Sequence, residues 1–150
     1  MSPNRKLFSF ERPEENSGFL LWQVSMHWQR KIKQALDPLD MTHTQFVLLA
    51  ALAWLLQSEG EVYQTDVANH AKIDRMMTSK IIKTLTQKDI IRTKNSAVDS
   101  RAKQLRFTEA GLTRFERALR IVEQTDRAFF AELGDDTAAF QPMLRKLMEP

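Results

Sequence analysis

Three sets of side chains in this sequence could do chemistry: a run of cations in the middle third, an Asp-x-Arg pair in a polar segment, and three scattered histidines. From Ala71 to Arg106 there are ten cations: Lys72, Arg75, Lys80, Lys83, Lys88, Arg92, Lys94, Arg101, Lys103 and Arg106. Only Asp74, Asp89 and Asp99 oppose them, so this stretch carries +7 while the whole chain carries +3. The flanks are therefore anionic. Positive charge concentrated over several successive elements on an acidic body is the footprint expected of a phosphate-binding surface.

Catalytic and metal chemistry find no such support. His27, His43 and His70 are dispersed, with no second ligand at helical spacing, so no metal site is expected. The chain has no Cys, which excludes disulfides, Cys-based zinc sites, iron–sulfur clusters and thiol redox sensing. No Ser-His-Asp set, Gly-rich phosphate loop or pair of carboxylates on one face is visible. The expectation is a protein that is not an enzyme and needs no cofactor.

The elements that must position the cations follow from periodicity. With 4 Gly, 5 Pro and 43% hydrophobic residues in 150, the composition favours helices around one core. Residues 1–16 read as an arm anchored by Phe8 and Phe10. Phe19, Trp22, Met26, Ile32, Leu36 and Leu39 recur mostly every three or four residues, predicting a first helix from Ser17 that ends near Asp37-Pro38. Thr42-x-x-Gln45 is a capping box opening a helix whose 11-residue apolar run, Phe46–Leu56, suits the middle of a core. A membrane span needs about 20 such residues. The N-terminus lacks an apolar leader, so no membrane association and a cytoplasmic location are expected.

A short helix with Val67, Ala68 and Ala71 inward follows, then Asp74 as N-cap of a longer helix from Arg75 to about Lys88. Its inward positions are read as Met77, Ile81, Ile82 and Leu85, and its outer face as Arg75, Thr78, Ser79, Lys80 and Lys83. That is helix-turn-helix anatomy. Ile90–Lys94 and Ala102–Phe107 predict a β-hairpin around NSAVDS. Thr108 caps a long helix striped by Leu112, Phe115, Leu119, Val122, Phe129, Phe130 and Leu133. Gly134 stops it, and Phe140, Met143, Leu144, Leu147 and Met148 line a last short helix.

The stretch Asp66–Gly111, DVANHAKIDRMMTSKIIKTLTQKDIIRTKNSAVDSRAKQLRFTEAG, resembles the MarR family of bacterial transcription regulators. Val67-Ala68, Asp74, Thr78, Leu85, Arg92, Asp99-x-Arg101-Ala102 and Thr108-x-x-Gly111 fall in register with that family's signature. The resemblance implies a mostly α fold with a small β-hairpin wing: a winged helix-turn-helix with N- and C-terminal dimerisation helices. It makes residues 1–150 a single domain, with 42–108 the DNA-binding lobe and 17–40 and 109–150 the dimerisation helices. Three positions depart from the family. Asp89 stands where Gly is usual, and Asp tolerates positive φ better than most residues. Ser79 stands where many members carry Arg. Tyr63 occupies the usual Ser/Thr cap of the third helix, leaving the cap weak or shifted to Thr65.

The resemblance also implies roles. Arg101 would enter the minor groove, oriented by Asp99; a weakly hydrated guanidinium suits the negative potential of a narrow A·T groove. Arg75, Thr78, Ser79, Lys80 and Lys83 would meet the major groove or its phosphate walls, and Arg92, Lys94, Lys103 and Arg106 would be phosphate contacts or solvated charges. Met76 and Met77 read chiefly as packing residues, with Met76 also suited to a thymine methyl. Phe19, Trp22, Leu133, Phe140, Met143 and Leu147 would be exposed on a monomer, which marks an interface, and the family pattern is a homodimer. Its cleft for small ligands, often aromatic acids or phenols, gives Trp22, Met26, His27, Phe46 and Trp54 as candidate wall residues. The expected function is a dimeric, sequence-specific regulator on double-stranded DNA, a repressor relieved by a small ligand. A protein-interaction adaptor with the same fold and a non-specific architectural DNA binder are the alternatives.

Overall fold

The protein is described by a computed structural model that covers residues 5–58, 60–98 and 102–148. Helix α1 spans Ser17–Leu36, and the Asn16 side chain caps it by accepting the Phe19 N–H at 2.7 Å. A single 3-10 turn, Asp37–Leu39, and a left-handed Asp40 (φ 52°) lead out of it at Asp37-Pro38, as the sequence predicts. The capping box forms reciprocally: Gln45 N–H donates to Thr42 Oγ1, and Thr42 N–H to Gln45 Oε1, each at 3.1 Å. It opens α2, His43–Ser58. Phe46, Leu48, Leu49, Ala51 and Leu52 of α2 are buried, and α1, α3, α4 and α5 all pack on it. At roughly 1.5–3 kcal/mol for each fully buried large apolar side chain, α2 is the main support of the fold.

Helix α3, Gln64–Ala71, ends on a left-handed Lys72 (φ 55°). Two residues on, the Asp74 carboxylate accepts the Met77 N–H at 2.8 Å and opens α4, Arg75–Gln87. The buried residues of α4 are Thr78, Ile81, Ile82 and Leu85, spaced i, i+3, i+4, i+7 along one stripe. This corrects the sequence reading at two positions. Thr78 is fully buried and Met77 is 47% exposed, because the helical phase set by the two isoleucines and Leu85 places 78, not 77, over the core. The Thr78 hydroxyl is satisfied there by donating to the Asp74 carbonyl oxygen at 2.8 Å.

The chain leaves α4 through Asp89 at φ 56°, the left-handed turn in which the family usually has Gly. Strands β1, Ile91–Asn95, and β2, Lys103–Phe107, pair antiparallel, with Ile91 opposite Phe107 and Asn95 opposite Lys103. Leu105 N–H also donates to the Val62 carbonyl oxygen at 2.8 Å, so the base of the hairpin is sewn to the segment before α3. Helix α5, Glu109–Phe130, is capped by Thr108 Oγ1, which accepts the Gly111 N–H at 2.8 Å. A Cβ on Gly111 would lie 1.9 Å from the Ile90 carbonyl oxygen, so only glycine lets α5 start this close to the backbone that leads into β1. Gly134, at φ 54°, breaks the chain before α6, Thr137–Leu147.

The molecule is therefore a mostly α winged helix-turn-helix with a two-stranded wing. One core, from Ile32 of α1 to Val122 of α5, holds α1, α2, α4, α5 and the wing base together. Among the described residues no single helix is long and apolar enough to cross a membrane.

Candidate nucleic-acid interface

The outer face of α4 carries Arg75, Ser79, Lys80 and Lys83, all exposed, together with Met76, which is 75% exposed. Met76, Lys80 and Lys83 fall on the side of the helix opposite the 78/81/82/85 stripe, while Arg75 and Ser79 flank it on the side of α3. Thr78, predicted beside them, is instead inside; its contribution is to hold the first turn of α4. Helix α3 is tied to this face by a bond that sequence reasoning missed. The Gln64 amide Nε2 donates to Ser79 Oγ at 2.7 Å. No periodicity announces it, because the partners lie on two helices and meet only once the turn is made.

Between α3, α4 and β2 lies an open hollow of about 350 Å³, lined among others by Gln64, Thr65, Arg75, Ser79 and Lys103. Arg75 and Lys103 bring positive charge to it from two elements. At its edge the Tyr63 hydroxyl donates to Glu61 Oε2 at 2.7 Å, and that bond pushes the phenol pKa above its ordinary value of 10.0. The Tyr63 position at the start of α3 is stabilised from the other side: its backbone N–H donates to Asp66 Oδ2 at 2.9 Å.

The wing sorts its cations by pleat. Arg92 lies opposite Arg106, and Lys94 opposite Gln104, so Arg92, Lys94 and Arg106 share one face. Lys103, opposite Asn95, lies on the other, with the hollow. The ten central cations are thus not one patch. Lys88 is drawn away altogether, donating to the Asp40 carbonyl oxygen at 3.0 Å. Asp99 and Arg101, the predicted wing-tip pair, lie outside the described residues.

The five candidate ligand-wall residues do not converge. Phe46 is consumed by the core, stacked on Phe115 at 5.7 Å. Trp54 of α2 and Trp22 and Met26 of α1 are exposed. Only His27 borders a sizeable cleft, about 950 Å³, between α1, α5 and α6, where Lys31, Phe129, Phe130 and Phe140 also line it. The His27 and Phe129 rings lie 5.5 Å apart. Among the described residues, no group of three or more His, Asp or Glu converges as a metal site.

The ArnR1-like winged-helix domain family matches residues 37–125. The HTH-type transcriptional regulator YdcH of Bacillus subtilis is 39% identical over 122 residues, spanning 81% of this chain and 83% of its own. Other curated relatives, at 24% and 27% identity, are named HTH-type transcriptional repressors. Among solved structures, BpsR of Bordetella bronchiseptica superposes with a TM-score of 0.81 at 22% identity, covering 95% of this chain and 99% of its own. That work concerns regulation of BpsR DNA binding by 6-hydroxynicotinic acid. A variant of MarR from E. coli in complex with operator DNA superposes with a TM-score of 0.76 at 20% identity, covering 88% and 93%. These relatives are regulators of transcription, not enzymes.

Proposed function

This chain belongs to the ArnR1-like winged-helix domain family and is 39% identical to an HTH-type transcriptional regulator; from that premise we propose a cytoplasmic homodimeric repressor of the MarR type that binds a pseudo-palindromic operator and is released by a small aromatic or phenolic ligand. The observation that carries the reading is the exposed α4 face, where Arg75, Ser79, Lys80 and Lys83 point outward while α3 and the wing base brace the helix from behind. Such a helix enters the major groove, and its cations fix register on the phosphates. Arg92, Lys94 and Lys103 on the wing strands extend the phosphate contacts. Arg101 would enter the minor groove, with Asp99 orienting it.

The dimer is assigned to residues 17–40 and 109–150, flanking the lobe 42–108. Phe19, Leu20, Leu21 and Trp22 on α1, and Met143, Leu144 and Leu147 on α6, are exposed apolar residues, more than a lone subunit leaves to water without a partner. The relatives named as repressors and the aromatic acid in the work on BpsR support repression and ligand release. The aromatic cleft beside His27 is where a ligand bound between α1 and α5 would change the spacing of the two lobes.

The test is footprinting on the DNA flanking the protein's own gene. A protected pseudo-palindrome is expected, and Arg101→Ala should weaken its binding by about 1–3 kcal/mol, the range for a well-placed groove contact. Equal affinity for every genomic fragment would leave only a non-specific architectural binder.

A further inference from the structure

We propose that Gln64, held in place by Ser79, is a base-reading residue that selects adenine at one position of each half-site. The inference rests on the DNA-binding reading above and deepens it.

The primary amide of glutamine offers one carbonyl oxygen and two N–H donors for hydrogen bonding. One donor of Gln64 is taken by Ser79 Oγ at 2.7 Å. Among the described residues the carbonyl oxygen and the second donor take no partner. The amide is therefore fixed at one corner and left with an adjacent acceptor and donor. In the major groove, adenine presents an acceptor, N7, beside a donor, N6–H₂, which glutamine matches with two parallel bonds. A glutamine free in solution loses considerable rotamer entropy on making such a pair. Ser79 removes part of that cost beforehand by anchoring the amide to the recognition helix itself.

The placement agrees with this chemistry. Gln64 opens α3, Ser79 sits in the second turn of α4, and both border the hollow that opens beside the recognition face. Met76, one turn before Ser79 and 75% exposed, adds an apolar surface suited to a thymine methyl. The short Ser79 side chain also leaves space at a position where a long cation would reach the groove first. Ser79 is on this account a positioning residue and Gln64 the reader.

The experiment is selection of duplexes from a pool randomised across the half-site, followed by titration on the selected duplex and on random-sequence DNA. The wild-type protein should select one adenine per half-site that Gln64→Ala no longer selects, with affinity for the selected duplex lowered about ten- to hundredfold and affinity for random DNA unchanged. Gln64→Glu should move the preference at that position to cytosine, whose N4 donates to a carboxylate. Ser79→Ala should weaken the same single preference, and Ser79→Thr, which keeps the hydroxyl, should restore it. Thermal unfolding of each variant checks that the fold is intact. If Gln64→Ala selects the wild-type sequence, or loses affinity equally for selected and random DNA, then the Gln64–Ser79 bond only clamps α3 to α4 and the inference is wrong. If the wild-type protein selects no sequence at all, it is the regulator reading itself that fails.

Discussion

Gly111 and His43 show how much a single position can decide here. With the Ile90 carbonyl oxygen 1.9 Å from where a Cβ would be, Gly111→Ala must push α5 away from the wing base. The expected cost is about 1–3 kcal/mol, read as a lower midpoint in urea unfolding with an unchanged slope. His43 opens α2 beside α1 and α5. Its ring meets Trp28 edge-on at 5.1 Å, and the Trp28 indole N–H donates to Asp126 at 2.8 Å. Burial lowers the His43 pKa below its ordinary 6.5, the Asp126 carboxylate acting the other way but more weakly. The unfolded chain therefore takes up this proton first. Its contribution to stability is complete above about pH 6.5 and is lost as pH falls through the lower folded value. Unfolding midpoints measured from pH 7.5 to 5 should fall less steeply for His43→Gln than for the wild-type protein. Parallel curves would remove His43 from the account.

Among the elements, α4 divides its work by face. The stripe at 78, 81, 82 and 85 holds the helix to the core, and the outer stripe meets solvent. The cap at Asp74, the turn at Asp89 and the Thr108 cap were legible in the sequence because each depends on one local residue type. The inward phase of α4 was not, because Met77 outranks Thr78 in hydrophobicity. Burial follows helical phase, and a threonine can satisfy its own hydroxyl against the preceding turn. The outer stripe makes a quantitative prediction. Each phosphate neutralised contributes about 0.9 to the log–log salt slope, so in the proposed dimer Lys83→Ala should lower the slope by about two, weakening specific and random DNA alike. An unchanged slope with lost sequence preference would make Lys83 a base reader, and no change in either would leave it solvated.

Across the whole molecule, two regions contrast. The lobe from α2 to β2 has a filled core, while α6 buries no residue at all and the first half of α1 is largely exposed. Phe140, stacked on Phe130 at 5.6 Å, anchors α6, but a helix this little buried gains most of its stability from what packs on it, and the proposed cover is a second copy. Deleting residues 135–150 should therefore give a monomer or an aggregate in light scattering at concentrations where the full chain is a dimer. A truncated chain that remains a well-behaved dimer would move the interface elsewhere.

The sequence by itself determined the order and type of the main elements, the caps at Thr42, Asp74 and Thr108, the central concentration of charge and the winged helix-turn-helix class. All of these rest on local residue preference or short-range periodicity, which are written in one stretch of chain at a time. Tertiary structure decided what depends on distance in space between residues far apart in the chain. It turned Thr78 inward, put Arg92 and Lys94 on the opposite face of the wing from Lys103, and took Phe46 into the core. It also joined Gln64 to Ser79 across two helices. Hydrophobicity and charge say which side chains seek water or avoid it; only the packing of α3, α4 and the wing around α2 decides which of them meet.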